Sequence, residues 1–234
     1  MTAKSSREVA SLPARSGGAP TPQGLIDMWG SGSQRERRSR RPKVELIAIG
    51  CSLGGMHALQ LILDVLPGDF TTPIVVAQHR HKASNEGLPA FFRKHTSLQV
   101  VDAVDKQRIK KGTVYLAPAD YHLLVERGEL SLSVDDAVNY SRPSIDVLFE
   151  SAAEGYGAAL VGVVLTGANG DGARGAKEIR KRGGFVIAQD PATAEAVAMP
   201  EAAIHAGAVD RILPLERIGP FLVELCRTTL TTGP

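Results

Sequence analysis

From residue 44 onward, short apolar runs rich in β-branched residues alternate with stretches of helical periodicity. This alternation is typical of βαβ units, in which parallel strands are joined by crossover helices. The run at residues 160–165 (LVGVVL) is apolar without interruption, which indicates a central strand buried on both faces. We therefore predict an α/β fold with three layers, built as a doubly wound and mainly parallel sheet.

The pattern gives approximate limits for each element. Strands are predicted at residues 44–50, 73–79, 98–104, 159–166, 184–189 and 209–215. Helices are predicted between them at residues 54–66, 86–95, 144–155, 172–182, 200–206 and 216–229. The alternation breaks at residues 110–135, where the runs 112–116, 123–125 and 130–133 and a turn at 127–128 predict a small antiparallel hairpin excursion.

Charge divides the chain into two parts. Residues 1–43 are rich in Ser, Gly, Pro and Arg and carry a net charge of +6, whereas residues 44–234 carry −4. The first part has too few apolar side chains to offset the entropy of ordering it. We predict a disordered basic N-terminal arm at 1–43, either a solvated linker or a docking element for an acidic partner, and one folded domain at 44–234.

Several classes of protein are disfavoured by composition. The net charge of +2 does not favour nucleic acid as a partner, and no stretch approaches the length of about 20 apolar residues that a membrane span needs. No apolar run follows the N-terminal basic residues to form a signal peptide, so we expect a cytoplasmic protein. The two cysteines and the histidines lack metal-ligand or redox spacing, and we expect no disulfide, metal or cofactor.

Ser52 is the first candidate for chemistry. It follows the first predicted strand in GCSLGG at residues 50–55, which matches the G-x-S-x-G pattern of a strained strand-to-helix turn that exposes a nucleophilic serine. Ligands of doubly wound sheets bind beyond the carboxyl ends of the strands, where this serine lies. A serine that caps the following helix, or a glycine loop that holds a phosphate, would give the same pattern.

His79 and Asp171 follow two other predicted strands. His79 ends the second strand, where it could act as a base for Ser52, although a surface histidine is the simpler interpretation and His81 is a rival. Asp171 lies in a glycine-rich loop after the strand at 159–166, where it could also be a helix N-cap.

Convergence of the three residues favours catalysis. Carboxyl ends of parallel strands meet at one edge of a sheet, so a serine, a histidine and an aspartate there can form a hydrolytic triad. Their order along the chain, Ser, His, Asp, differs from that of α/β-hydrolases, so the serine turn does not indicate that fold.

The chain resembles the catalytic domain of CheB-type protein-glutamate methylesterases over about residues 44–226. Seven segments carry the resemblance in the family's order. They are IGCSLGG at 49–55, VAQH at 76–79, VYLAP at 114–118, RPSIDVLF at 142–149, LTG at 165–167 with DGA at 171–173, IAQD at 187–190, and MP at 199–200 with AGAV at 206–209.

This resemblance implies hydrolysis of glutamyl methyl esters on the cytoplasmic helices of chemoreceptors, often with deamidation of glutamines there. It also implies that Ser52 is the nucleophile, His79 its base and Asp171 the carboxylate that orients the histidine. The backbone amides of Leu53 and Ala168 are the candidates for the oxyanion hole. A non-catalytic receptor-binding module of the same fold and a small-molecule esterase are the alternative functions.

Two side chains and one domain depart from the family's pattern. Leu53 stands where a small hydroxylated residue is usual and Ala168 where a methionine is usual, so substrate fit or rate is expected to change. The 43 residues before the first strand are too few for the family's receiver domain. We therefore expect a stand-alone catalytic domain, either unregulated or controlled by a separate regulatory protein.

Overall fold

A seven-stranded sheet lies at the centre of the structure, a computed structural model that describes residues 43–80 and 87–227. Its strands are β1 (Leu46–Cys51), β2 (Ile74–Gln78), β3 (Gln99–Asp102), β5 (Thr113–Leu116), β8 (Leu160–Val164), β9 (Phe185–Gln189) and β10 (Arg211–Leu213). All neighbouring strands of this sheet are parallel, and their order is β10-β9-β8-β1-β2-β5-β3.

Helices cover both faces of the sheet. They are α1 (Gly55–Asp64), α2 (Leu88–Phe92), α3 (Ile145–Tyr156), α4 (Ala173–Lys181), α5 (Ala198–His205) and α6 (Leu215–Arg227), with short 3-10 turns at Gly157–Ala159 and Pro191–Thr193. Among the helices in these ranges, none is long and apolar enough to cross a membrane.

Alternate residues of β1 enter two separate cores. Ile47 and Ile49 pack with apolar side chains of α1, α2 and α6, whereas Leu46 and Ala48 pack with those of α3, α4 and α5. Side chains of a strand point to opposite faces in turn, so a strand covered on both faces must be apolar throughout. This arrangement confirms the predicted three-layer, doubly wound fold.

A second, antiparallel sheet accounts for the hairpin excursion. It contains β4 (Gln107–Arg108), β6 (His122–Glu126) and β7 (Glu129–Ser133) in the order β4-β7-β6. The hairpin of β6 and β7 turns at Arg127 and Gly128, where Gly128 has a φ of 83°. The prediction of an antiparallel hairpin is thus confirmed for these two strands.

The expectation that residues 112–116 belong to this excursion is wrong. Thr113–Leu116 forms β5, which lies between β2 and β3 and runs parallel to both. All four of its residues are buried, as expected for an internal strand of a sheet with two covered faces. The parallel pairing of β5 could not be predicted from the sequence, because the strand is short and comes just before a hairpin.

Some of the predicted features lie outside the described residues. They include the basic arm before residue 43, the rival histidine His81, the first residue of the helix predicted at 86–95, and the last two residues of the helix predicted at 216–229.

The order of the central strands brings three loops to one edge. β1 lies between β2 and β8, with Cys51 opposite Gln78 on one side and Gly50 opposite Val164 on the other. Ser52, His79 and the loop that contains Asp171 therefore leave the same carboxyl edge on three adjacent strands.

Candidate active site

Ser52 lies in a tight turn between β1 and α1. Its amide donates a hydrogen bond to the Thr166 carbonyl oxygen at 2.9 Å, and its own carbonyl accepts one from the Gly55 amide at 2.8 Å. Gly54 has a φ of 78°, in the left-handed region that favours glycine, and a Cβ there would lie 2.7 Å from the Glu195 Cβ. The glycine thus allows the chain to turn sharply into the helix, which leaves Ser52 half-buried at the sheet edge.

The side chain of Gln78 links the ends of β1 and β2. Its Nε2 donates to the carbonyl oxygens of Ser52 at 2.9 Å and His79 at 3.2 Å, and its Oε1 accepts from the Cys51 Sγ at 2.8 Å. Sequence reasoning missed this role, although a polar residue at the end of an apolar strand was a usable signal. The amide fixes the backbone of both Ser52 and His79.

His79 and Asp171 form a direct contact at this edge. The His79 Nε2 lies 2.8 Å from the Asp171 Oδ2, with the side chains 11% and 0% exposed. An ionised carboxylate can only accept hydrogen bonds, so Nε2 carries the hydrogen and Nδ1 is the acceptor of the neutral ring. Asp171 therefore fixes the tautomer in which Nδ1 can take a proton.

The Asp171 carboxylate occupies the N-terminus of α3. Besides His79, it accepts hydrogen bonds from one side-chain amide, one hydroxyl and two backbone amides. These donors are Asn139 Nδ2 at 3.1 Å, Ser144 Oγ at 3.0 Å, Ile145 N at 2.7 Å and Asp146 N at 3.1 Å. A helix N-terminus stabilises a negative charge in this position.

Hydrogen bonding keeps this buried carboxylate ionised. Burial by itself raises the pKa of Asp171, but hydrogen bonds from His79, Ile145, Asn139 and Asp146 outweigh that effect and lower the pKa to about 2. At neutral pH the group is negatively charged, and it can stabilise a positive charge on the imidazole.

The other nitrogen of His79 lies near Ser141, whose Oγ is 3.5 Å from Nδ1. Cys51 pairs with Gln78 in the parallel sheet, so Ser52 and His79 are the next residues along these two neighbouring strands. Within residues 43–80 and 87–227, the hydroxyl of Ser52 makes no hydrogen bond. The structure thus joins His79 to Asp171 and places Ser52 beside them, without the third hydrogen bond of a triad; such bonds often tighten only when substrate is bound.

The two candidate oxyanion amides lie on loops that flank Ser52. Leu53 is 55% exposed, and Ala168 is exposed on the loop after β8. In the described part of the chain, neither backbone amide donates to a protein oxygen. Neither amide of this pair is therefore satisfied by a protein acceptor among the described residues.

Thr166 connects these two loops. Its Oγ1 donates to the Leu53 carbonyl oxygen at 2.8 Å and accepts from the Ala196 amide at 2.8 Å. The threonine is buried, so these bonds hold the loop after Ser52 to the end of β8.

Asp146 and Asn139 are further residues that sequence reasoning missed. Asp146 accepts hydrogen bonds from the Gly172 amide at 3.0 Å and the Gly175 amide at 2.8 Å. Asn139 Nδ2 donates to both Asp146 and Asp171, at 3.0 and 3.1 Å. Burial raises the pKa of Asp146, and the charge of Asp171 adds to this, against the hydrogen bond from Gly175.

A cleft of about 660 Å³ opens beside His79. Its lining residues come from the end of β2 and from the segment that precedes α3. They are His79, Arg80, Asp136, Ala137, Tyr140, Ser141, Arg142 and Pro143. Arg142 is held by Asp120 Oδ1, which accepts from its Nε at 2.9 Å and its Nη2 at 2.7 Å. A substrate can thus approach His79 from a cleft with an ordered wall.

The remaining described histidines lie away from this contact. His122 is buried in β6, where its Nδ1 accepts from the Ser144 amide at 3.2 Å. His95 contacts Asp64 at 3.3 Å, and His205 is the last residue of α5. In the described ranges, no group of three or more His, Cys, Asp or Glu side chains could hold a metal ion.

Serine hydrolases place a serine, a histidine and an aspartate close together. This doubly wound sheet does so at its carboxyl edge, with the serine at a strand-to-helix turn and the hydrogen-bonded histidine and aspartate after the flanking strands. The chain belongs to the CheB methylesterase family, whose model matches residues 47–222. The resemblance inferred from seven sequence segments is therefore confirmed.

Relatives of known name show how far this similarity extends. A putative protein-glutamate methylesterase/protein-glutamine glutaminase of Leptospira interrogans is 46% identical over 187 residues, which cover 80% of this chain and 97% of that protein. The protein-glutamate methylesterase FrzG of Myxococcus xanthus is 44% identical over 78% of this chain and 55% of its own length. The crystal structure of the Thermotoga maritima CheB methylesterase catalytic domain is 36% identical, with a TM-score of 0.75 over 79% of this chain and all of that one.

Proposed function

We propose that this protein hydrolyses the methyl esters of glutamyl side chains on proteins, with Ser52 as nucleophile, His79 as general base and Asp171 as the carboxylate that orients the histidine. The observation that carries the proposal is the 2.8 Å contact between His79 Nε2 and Asp171, on the strand next to the one that Ser52 follows. The names of the relatives support the choice of a glutamyl methyl ester as the substrate.

The proposed reaction proceeds through an acyl-enzyme. The Ser52 Oγ forms a bond to the ester carbonyl carbon while Nδ1 of His79 takes the hydroxyl proton. The carbon–methoxy bond then breaks, and the imidazolium returns the proton to the leaving oxygen, so that methanol departs. Water, deprotonated by the same nitrogen, attacks the acyl-enzyme and releases the glutamate and the serine hydroxyl.

Groups of the site can stabilise both the positive and the negative charge that develop during this reaction. Asp171, ionised because its pKa is about 2, stabilises the imidazolium that forms in each half of the reaction. The amides of Leu53 and Ala168 are the proposed donors to the carbonyl oxygen as it becomes negative.

The same chemistry extends to deamidation. A glutamine side chain differs from the ester in its leaving group, so attack by Ser52 would release ammonia instead of methanol. The name of the Leptospira relative includes protein-glutamine glutaminase, which supports this second activity. We propose both activities for the one site.

We further propose chemoreceptor cytoplasmic helices as the methylated partners, and hence a cytoplasmic location. We also propose that a separate protein regulates the activity. The basic residues 1–43 are proposed to help bind an acidic receptor surface. Salt would weaken such binding if the arm takes part, since long-range attraction between exposed charges is screened.

The decisive test compares Ser52, the proposed nucleophile, with Ser141, which lines the same cleft as His79. Methanol release from a methylated receptor fragment should fall by about 10⁴-fold or more in Ser52→Ala, because removal of the nucleophile leaves only binding and oxyanion contributions. Ser141→Ala is the matched control, since the Ser141 Oγ lies 3.5 Å from His79 Nδ1, and it should retain most activity.

Four results would contradict the proposal in different ways. Equal rates for the wild type and Ser52→Ala would remove Ser52 as the nucleophile, and loss only in Ser141→Ala would transfer that role to Ser141. Receptor binding without turnover would indicate a non-catalytic module. Hydrolysis of simple esters without activity on methylated receptors would indicate a small-molecule esterase.

A further inference from the structure

Residues 138–141 form a tight turn on the wall of the cleft. Val138 and Ser141 pair as an antiparallel bridge, with hydrogen bonds of 3.2 and 2.9 Å in the two directions. The two residues between them, Asn139 and Tyr140, have φ values of 51° and 60°. Both lie in the left-handed region, which a turn of this kind requires and which glycine or asparagine adopts most easily.

Tyrosine is an unfavourable residue for this conformation. A side chain with a bulky Cβ substituent is strained at positive φ, at a cost of about 1 kcal/mol or more relative to glycine. Four non-glycine residues in the described ranges have positive φ, namely Lys106, Asp120, Asn139 and Tyr140.

The other three use their side chains within the chain. Lys106 contacts Ser131 at 3.1 Å, Asp120 accepts hydrogen bonds from Arg142, and Asn139 donates to Asp146 and Asp171. Tyr140 is fully exposed and makes no hydrogen bond or ring contact with the other described residues. Nothing in the described fold therefore compensates for the strain of a tyrosine at this position.

The turn holds Tyr140 close to the reacting groups. Its neighbour Asn139 bonds to Asp171, and its other neighbour Ser141 lies 3.5 Å from His79 Nδ1. Tyr140 and His79 line the same cleft of about 660 Å³, a volume in the range that accepts a whole drug-sized molecule. A glutamyl methyl ester side chain has only a few heavy atoms, so part of the cleft remains for the polypeptide that carries it.

We propose that Tyr140 is a substrate-docking residue, which packs its ring against the polypeptide that flanks the methylated glutamate. This inference rests on the proposed function and adds to it a determinant of specificity for protein over small esters. Tyrosine suits the role because it buries a large amphipathic surface with little loss of side-chain entropy and is enriched at the energetic centres of interfaces. The strain at Tyr140 is then offset when substrate binds.

The experiment separates docking from catalysis. In a Ser52→Ala background, the dissociation constant for a methylated receptor fragment is measured with Tyr140, with Tyr140→Gly and with Tyr140→Phe. Tyr140→Gly should weaken binding by about tenfold or more, as expected for loss of an aromatic hot spot, whereas Tyr140→Phe, which keeps the ring, should bind within a few fold of the parent. Lys106→Gly is the matched control, because Lys106 also has a positive φ, of 58°, and lies on a different loop.

A second measurement uses the active enzyme with the same changes. Tyr140→Gly should lower kcat/KM for the methylated fragment at least tenfold more than for a small methyl ester, while its melting temperature stays the same or rises. An unchanged dissociation constant, an equal loss on both substrates, or no binding of the fragment by the Ser52→Ala parent would overturn the inference. Absence of methanol release by the wild type would instead refute the proposed function, and the binding comparison would still decide the role of Tyr140.

Discussion

Asp171 binds the N-terminus of α3, the helix that contains Asp146, and Asp146 binds the N-terminus of α4, the helix that follows Asp171. Asp171, just before α4, accepts a hydrogen bond from the Asp146 amide at 3.1 Å, and Asp146, in the first turn of α3, accepts from the Gly172 and Gly175 amides. Helix N-termini have unpaired amide donors, which here are satisfied by two buried carboxylates. The proposed catalytic aspartate is thus part of the contact between two helices.

Removal of the Asp146 carboxylate should damage both the fold and the site. Asp146→Ala leaves the amides of Gly172 and Gly175 buried without an acceptor, which should lower the free energy of unfolding by about 2 to 4 kcal/mol. Urea denaturation measures this loss. The control is Asp69→Ala, at an exposed carboxylate, which should stay within about 0.5 kcal/mol of the wild type.

Asp171 should make stability fall in acid. Its pKa is about 2 in the folded protein, below its ordinary value of 3.8, so the unfolded chain binds the proton more readily. The resulting stabilisation of about 2 kcal/mol is complete above pH 4 and is lost as the pH falls towards 2. Burial raises the pKa of Asp146, which therefore has the opposite effect and reduces the net slope.

Urea unfolding at several pH values between 5 and about 2 tests this linkage. The free energy of unfolding of the wild type should fall more steeply with acid than that of Asp171→Asn, which has no carboxyl group to titrate. Parallel curves for the two proteins would show that Asp171 is not held ionised by its hydrogen bonds.

The sequence predicted the sheet edge better than it predicted the contacts there. Runs such as 160–165 locate strands because a strand covered on both faces must be apolar, and the loops that follow such strands lie at one edge. Ser52, His79 and Asp171 could be found in this way. Tyr115, by contrast, belongs to a strand of four residues, too short for periodicity to show whether its partner was a parallel strand or the next hairpin.

Contacts made by polar side chains were not predictable from spacing. Gln78 and Asn139 act through amide groups whose partners are 26 and 32 residues away in the chain, and no local pattern reports such a distance. Asp146 was part of a family segment, but its role depends on how α3 packs against α4. These positions require knowledge of the tertiary structure.

Gln78 should be needed for activity although it does not touch the substrate. Gln78→Glu replaces the amide donor that binds the Ser52 and His79 carbonyl oxygens with a group that, when ionised, can only accept. We expect kcat to fall by about tenfold to a hundredfold, because small displacements of reacting groups are costly. Steady-state methanol release measures it.

Gln107→Glu is the matched control for this substitution. The Gln107 Oε1 accepts from the Val104 amide, a bond that a carboxylate preserves. An unchanged kcat in Gln78→Glu would show that the strand ends are fixed without this amide.

The thiol beside Ser52 should be unreactive in the folded protein. Burial raises the pKa of Cys51 to about 12, and burial also raises that of Cys226. Because the thiolate is the reactive form, both cysteines should label very slowly with an aromatic disulfide reagent at pH 8 and rapidly in urea. Absorbance measures the labelling and methanol release measures the activity. Fast labelling of one thiol together with loss of activity would contradict this expectation.

Thr166 provides a test of the proposed oxyanion hole, because its hydroxyl fixes the carbonyl of Leu53 while leaving the Leu53 amide free to bind substrate. Thr166→Val keeps the size of the side chain but removes the bonds to Leu53 and Ala196, so the loop after Ser52 should lose its fixed position. We expect kcat to fall by about tenfold to a hundredfold, with a smaller change in KM, since donors to a developing oxyanion act mainly in the transition state. Thr166→Ser, which keeps the hydroxyl, should retain most of the wild-type kcat. Equal kcat values for Thr166→Val and Thr166→Ser would exclude a role for the Thr166 hydroxyl in placing the Leu53 amide.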